Sequence, residues 1–235
     1  MPRIDLQVPF SEKEDARRLG ARWDPRQKVW YVPEGVDAAP LQKWFPTPRA
    51  PNVRAPWYYL ASTLRDCWSC KARTRVVAFV LPAEHEVLYI GDDPADDCWE
   101  VAGEPTLLSY VAHVGDRVAA YLRTGAPHYN VDFSQTTKTF YWINHCEHCV
   151  AKLGDHFTCE TRGEGFAPVT SEQAAAIRLE KVSEIFSASC GTLTCGLEWF
   201  ADAQRSDAAQ QLDVSSNVGG WISRLVMSNK YNYNK

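Results

Sequence analysis

No stretch of the 235-residue chain approaches the roughly 18 apolar residues that cross a membrane. The chain does not open on a signal peptide either, because MPRIDLQVPFSEKEDARR carries charges where such a peptide needs an apolar run. These two absences lead us to expect a cytoplasmic protein with no membrane partner. Catalytic signatures are missing as well: no G-x-S-x-G, H-E-x-x-H, P-loop or dinucleotide-binding fingerprint occurs. There is no internal repeat and no long low-complexity run. Surplus positive charge is also lacking, with 25 Lys+Arg against 29 Asp+Glu and a net charge of -4. Bulk charge therefore gives no support to nucleic-acid binding by the whole protein.

The charge that is present is unevenly spread. Residues 1–54 hold ten Lys/Arg against seven Asp/Glu, a balance of +3, and the remainder holds 15 against 22, a balance of -7. Only the N-terminal segment has an electrostatic reason to approach phosphate. A hydrophobic content of 45% is that of a globular protein with a packed core. The nine Trp residues are expected mostly in the core, with some left for stacking or partner-binding surfaces.

The pattern predicts an α+β protein: a small N-terminal β-α-β-β unit (1–46), a proline-rich linker (47–56), a larger mixed α+β domain (57–227) and a polar tail (228–235). In the first unit Ile4, Leu6 and Val8 alternate with polar residues as in a half-buried strand. Ser11 and Glu14 have capping-box spacing, and Gly20 is placed to end the helix that follows. ARWD and KVWYV read as two strands joined at Pro25-Arg26-Gln27, with a short helix over 37–45. Strands are expected at Val76–Leu81, Glu86–Ile90 and Thr139–Ile143. Helices are expected from Ser171 to about Phe186, with Ala174, Ile177 and Val182 inward, and over Leu197–Gln211.

Two Cys-x-x-Cys steps stand out, Cys67–Cys70 and Cys146–Cys149. A two-residue spacer lets both thiolates of a tight turn face one ion, and two such turns complete a closed Cys₄ shell, for which zinc is the expected metal. The 75 residues between the pairs exceed the usual zinc-ribbon spacing, so the intervening chain must fold and return. Competing readings are two separate redox pairs, or buried free cysteines. His145 and His148 offer alternative ligands within the run HCEHC. Cys98 and Cys159 read as core residues. Cys190 and Cys195 have no second pair to complete a metal site. The acidic run Gly91–Asp97 reads as a solvated loop, and Asp155 with His156 does not read as a dyad.

The other distinctive element is GARWDP followed by KVWYVP at the N-terminus. In a hairpin, Arg22, Trp23, Arg26, Lys28 and Trp30, with Tyr31, would gather at one turn as a stacking and phosphate-binding surface. The competing reading packs at least one Trp into the small unit's core. LQVPFSEKEDARRLGARWDPRQKVWYVPEG resembles a small bacterial domain of unknown function found beside primase-like and other plasmid- or phage-associated modules. It is also distantly similar to the HARP domain of annealing helicases, which supports DNA binding. The first resemblance implies a DNA-associated or mobile-element setting without a mechanism. CWSCKARTRVVAFVLP with FYWINHCEHCVAKLGDHF resembles bacterial proteins with a C-W-x-C…N-H-C-x-x-C…G-D-x-F pattern, a zinc-ribbon-like arrangement whose four cysteines are taken as zinc ligands. Asn144, Gly154, Asp155 and Phe157 belong to the same pattern.

The expectation is a non-catalytic zinc-binding protein whose N-terminal module contacts DNA or a nucleoprotein partner. Its acidic main domain would make protein contacts. Alternatives are a protein-protein adaptor or inhibitor of the immunity or phage counter-defence type, or a toxin or effector enzyme with an unrecognised site.

Overall fold

A computed structural model describes residues 4–25, 29–45, 50–93 and 96–207. It has helices and strands in several sheets, a mixed α+β architecture. The N-terminal unit runs β1 (Ile4–Leu6), α1 (Lys13–Arg18), β2 (Arg22–Asp24) and β3 (Val29–Val32), then a 3₁₀ turn over Ala39–Trp44. Its sheet has the order β1-β3-β2, antiparallel throughout. Leu6, Val8, Ala16, Ala21, Val32, Leu41 and Trp44 form a core of their own. The chain leaves α1 through Gly20, whose φ of +99° is open to glycine. The expected capping box is not formed. Pro9 starts a 3₁₀ turn over Phe10–Glu12, so the α-helix begins at Lys13 with no side-chain cap. Glu12 instead accepts from Lys43 Nζ and Trp44 Nε1, both at 2.9 Å, fastening the turn to the end of the unit.

The rest continues as β4 (Val53–Ala55), β5 (Tyr58–Asp66), β6 (Arg73–Leu81), β7 (Glu86–Tyr89), β8 (Cys98–Val101), β9 (Thr106–Ser109), β10 (His113–Val114), α2 (Asp116–Gly125), β11 (Tyr129–Ser134), β12 (Thr139–His145), β13 (Lys152–Leu153), α3 (Ser171–Ala175), β14 (Arg178–Val182), β15 (Phe186–Ser189), β16 (Thr192–Thr194) and β17 (Gln204–Asp207). The central sheet has the order β16-β9-β6-β5-β14-β17. Alternate residues of β5 and β6 enter two different cores: Tyr58, Leu60, Val77 and Phe79 one, Ala61, Val76, Ala78 and Val80 the other. This explains why VVAFVL is apolar without interruption, since both of its faces are covered. A second sheet, β10-β15-β4-β7-β8, contributes Val53, Phe186 and Ala188 to the first core. There the rings of Tyr58, Phe79 and Phe186 meet with centroids 5.0 to 5.6 Å apart. The third sheet, β11-β12-β13, carries the second cysteine pair at its end.

Several expectations are corrected. The stretch read as a linker contains β4, whose Val53 is fully buried and pairs with Ala188 and Val87. The helix expected from Ser171 to Phe186 is five residues long and is capped by the Thr170 side chain. After it the chain pairs along β5 as β14, from Arg178 opposite Ser62 to Val182 opposite Tyr58. Ala174, Ile177 and Val182 are buried as expected, but the open edge of β5 overrides the helical period. The helix expected over 197–211 is a 3₁₀ turn at Glu198–Phe200 followed by β17, parallel to β14. Residues 208–211 of that expectation, the end of the main domain (208–227) and the polar tail lie outside the described residues. Of the tryptophans, Trp44, Trp142 and Trp199 are buried, while Trp23 and Trp68 are 47% and 63% exposed. No described helix is long and apolar enough to cross a membrane.

One buried group ties the β9–β10 loop to the segment after β13. Tyr110 has a left-handed φ of 54°, and its N–H donates to Asp155 Oδ2 at 2.6 Å. Asp155 is 3% exposed and precedes a single π-helical turn, His156–Glu160. Burial, helped by the charge of Glu160 and opposed by the Tyr110 N–H, pushes its carboxyl up to about 7. The unfolded chain releases that proton near the ordinary value of 3.8. The folded state therefore holds it more tightly, and this contribution to stability is lost as pH rises through about 7. Tyr110, Tyr129, Tyr141, Cys159 and Glu160 are ionisable groups around it. Asp155→Asn should gain stability relative to the parent by roughly 1 kcal/mol per pH unit between about pH 5 and 7 and level off above. Urea unfolding across that range checks this, and parallel curves would refute it.

Candidate metal centre

The two Cys-x-x-Cys steps are the turns of two hairpins, β5–β6 and β12–β13, and they are built alike. In the first, Cys67 N–H donates to Ala72 O at 2.9 Å and Cys67 O accepts from Lys71 N–H at 3.0 Å. In the second, Cys146 N–H donates to Ala151 O at 2.9 Å and Cys146 O accepts from Val150 N–H at 3.0 Å. The residue after each second cysteine is left-handed, Lys71 at φ 63° and Val150 at φ 64°. Neither is the glycine that this conformation favours.

The four Sγ atoms lie within 4.8 Å of one another, a group able to hold a metal ion. The short contacts run between the turns: Cys67 to Cys149 and Cys70 to Cys146, each 3.6 Å. Four thiolates around zinc at 2.3 Å form a tetrahedron with edges of about 3.8 Å, so the arrangement is that of one shared ion. Two independent redox pairs would bring the sulfurs together within each turn instead. Cys67 and Cys146 are buried, and Cys70 and Cys149 face out. Burial raises the Cys146 thiol, but the N–H groups of Cys149 and His148, together with the Cys67 and Cys70 thiols, outweigh it and lower the thiol below its usual range. His148 N–H lies 3.4 Å from its Sγ. A sulfur that already accepts hydrogen bonds in its charged form is suited to ligation.

The turns are held in place by cross-links to each other's hairpin. Asn144, two residues before Cys146, reaches into β6: its Oδ1 accepts from Val77 N–H at 2.8 Å and its Nδ2 donates to Val77 O at 2.9 Å. The amide thus acts as one rung of a β-ladder between two sheets. Glu147 N–H donates to Thr74 Oγ1, and its carboxylate accepts from Arg75 N–H at 3.0 Å. In return, Trp68 Nε1 donates to Lys152 O at 2.9 Å.

Neither histidine joins the sulfurs. His145 Nε2 lies 3.1 Å from Asp132 Oδ2 and its Nδ1 3.3 Å from His128 O, while His148 Nε2 meets Arg73 O at 2.9 Å. Of the remaining cysteines, Cys159 and Cys190 are buried, whereas Cys98, expected in the core, is exposed on an edge strand. Cys195 is exposed beside Thr106. Among the described residues no other cluster of metal-binding side chains occurs, and His156 pairs with Glu160, not Asp155.

At the N-terminus, Trp23 and Trp30 are opposite each other in register, with ring centroids 5.8 Å apart and planes tilted by 58°. Both share the face of Leu6 and Val32, at the border of the small core. Arg22, opposite Tyr31, lies on the other face of the sheet. Strand alternation thus separates the Arg22 cation from the Trp pair, where the sequence suggested one cluster. Arg26 and Lys28 lie outside the described residues. On the same unit, Phe10 is 75% exposed with Lys13 Nζ 3.8 Å from its ring centre, a contact without a signal in the sequence.

With this geometry in place, comparison with known proteins is informative for the N-terminal unit. Residues 3–46 match the family described as "Domain of unknown function (DUF5710)". Two curated relatives, each a "DNA primase TraC" of Escherichia coli, are 57% identical over 42 residues and 59% identical over 39 residues. These matches cover 18% and 17% of this chain and only 4% and 3% of the relatives. No solved structure matches.

Two substitutions test the clamp. Asn144→Ala leaves both polar groups of Val77 buried and unpaired, and should cost roughly 2–4 kcal/mol in denaturant unfolding of the metal-loaded protein. Val150→Gly removes a β-branched residue from left-handed backbone at a half-exposed position, and should raise stability by about 1 kcal/mol.

Proposed function

We propose that this is a zinc-stabilised, non-catalytic binding protein whose N-terminal unit contacts nucleic acid or a nucleoprotein partner. The observation that carries the reading is the 57% identity over 42 residues to a segment of a protein described as "DNA primase TraC". The exposed Trp23, the Trp30 beside it and the exposed Phe10 supply flat aromatic surface to which bases can stack. Arg22, Arg26 and Lys28 supply positive charge in a segment that is basic overall.

Zinc is the metal that a set of four thiolates favours. Cys67, Cys70, Cys146 and Cys149 would fill all four positions of its shell. No position remains for water or substrate, and the ion's work is to fasten one hairpin turn to the other. The acidic main domain repels phosphate and is assigned protein contacts. Free thiols at this spacing suit a reducing compartment, in keeping with a cytoplasmic setting.

Two measurements test this. Metal analysis of the purified chain should find about one zinc per molecule, with Cys67→Ser or Cys149→Ser lowering both metal content and stability. A folded, metal-free protein would sink the site. Fluorescence anisotropy of the full chain with short single- and double-stranded DNA should show binding that weakens with salt. Trp23→Ala should cost roughly 1–3 kcal/mol, and Arg22→Ala with Lys28→Ala should reduce the salt slope by about 2. Absence of salt-sensitive binding would overturn the nucleic-acid reading and leave the metal site standing.

A further inference from the structure

Between Arg75 and Arg117 the chain has no Lys or Arg. The same stretch holds Asp92, Asp93, Asp96, Asp97, Glu100 and Glu104 on or beside β7 and β8. β8 ends the five-stranded sheet, with β7 as its one strand neighbour among the described residues.

The orientation of its backbone follows from alternation. Leu88 N–H points toward the β4 side, donating to Asn52 O at 2.9 Å. Val87 and Tyr89 therefore face β8, where they pair with Glu100 and Cys98. The N–H groups of Trp99 and Val101 consequently point out of the sheet. Their side chains share the solvent face with Arg54 and Glu86. There Arg54 bonds Glu86 at 2.6 and 2.8 Å and stacks 4.2 Å from the Trp99 ring centre, so the nearest cation is already engaged.

Three other sheet edges among the described residues are guarded in the usual ways. β17 reads QRSD and is exposed along its length, while β10 and β13 are two residues long. β8 reads CWEV, with no Lys or Pro. Val101 is 67% exposed at one end of the strand, and at the other end Tyr89, opposite Cys98, and Ile90 are 54% and 70% exposed. This edge is therefore extended, apolar and rimmed by negative charge.

We propose that β8 is a docking edge for an extended, Lys- or Arg-bearing segment of a partner protein, which joins the sheet as a sixth strand. Backbone pairing would supply the affinity, exposed apolar side chains would pack against alternate residues of the guest, and the acidic rim would select its charge. Nucleic acid is excluded by its own sign. A second copy is disfavoured because antiparallel pairing of two β8 strands sets Glu100 near its counterpart and each Asp96-Asp97 pair near the other copy's Glu104. The proposal deepens the reading that the main domain makes protein contacts, and it is independent of nucleic-acid binding by the N-terminal unit.

The test uses the full-length, metal-loaded protein and two fluorescein-labelled ten-residue peptides, one alternating Val with Lys and one alternating Val with Glu. The Lys peptide should bind at least about tenfold more tightly. It should also slow hydrogen exchange at the Trp99 and Val101 amides. Val101→Pro removes one outward donor and should abolish binding. Val101→Lys keeps the backbone donor, places a like charge on the edge and should weaken binding about tenfold or more without unfolding the sheet. Equal binding of both peptides, binding without protection at Trp99 and Val101, or no binding at about 1 mM peptide would overturn the proposal. So would concentration-dependent protection of these amides without peptide, which would assign the edge to self-association. DNA binding should be unchanged in both variants, so failure here and failure of the nucleic-acid reading are separable.

Discussion

The main domain depends on bringing together two hairpin turns separated by 75 residues. Four sulfurs within 4.8 Å cannot share that space as thiolates without an ion, because their charges repel. The protein prepares the meeting point with hydrogen bonds that do not involve the sulfurs. Asn144 supplies a ladder rung to Val77, Glu147 reaches Thr74 and Arg75, and Trp68 reaches back to Lys152. Each turn thereby carries a hook for the other hairpin. β6, which follows the first turn, contributes to both cores of the domain and is buried from Val76 to Leu81, so the position of the turns is set by a deeply packed strand.

The cysteine constellation was legible because its chemistry demands a spacing, and spacing is a local property of sequence. The same holds for the β-α-β-β unit, where strand alternation at Ile4 and Leu6 and a glycine stop at Gly20 describe contacts made within about 46 residues. Legibility failed where a distant partner decided the outcome. Ala174, Ile177 and Val182 are all buried, and their spacing suits one face of a helix, yet Ile177 and Val182 enter different cores from an extended chain. The open edge of β5, more than 100 residues earlier, resolved the ambiguity in favour of β14. β4 was hidden for a similar reason: three residues flanked by prolines look like a linker until β7 and β15 close around them. Asn144 was visible as part of a pattern, but its role was not, since an amide standing in for a β-rung leaves no trace in periodicity.

The two parts of the molecule divide the labour by charge. The N-terminal segment is basic and carries its aromatic surface on a unit with a separate core. The main domain is acidic and concentrates that charge along one strand hairpin. On the proposed reading, like charge on the larger part keeps phosphate away from surfaces that contact protein, and the small unit is the place for nucleic acid. On the same reading a metal held by the four cysteines takes no part in either contact, and its influence on binding comes through the rigidity of the strands it joins.

The distance between the turns also has a consequence for how the protein is made. At about 5–20 residues per second, a ribosome needs roughly 4–15 s to extend the chain from Cys70 to Cys146. During that interval the nascent chain holds the first two thiols, half of the cysteine cluster, with no counterpart. The first turn must therefore wait, and whatever keeps those sulfurs reduced and free of other metals in the meantime shares responsibility for the fold.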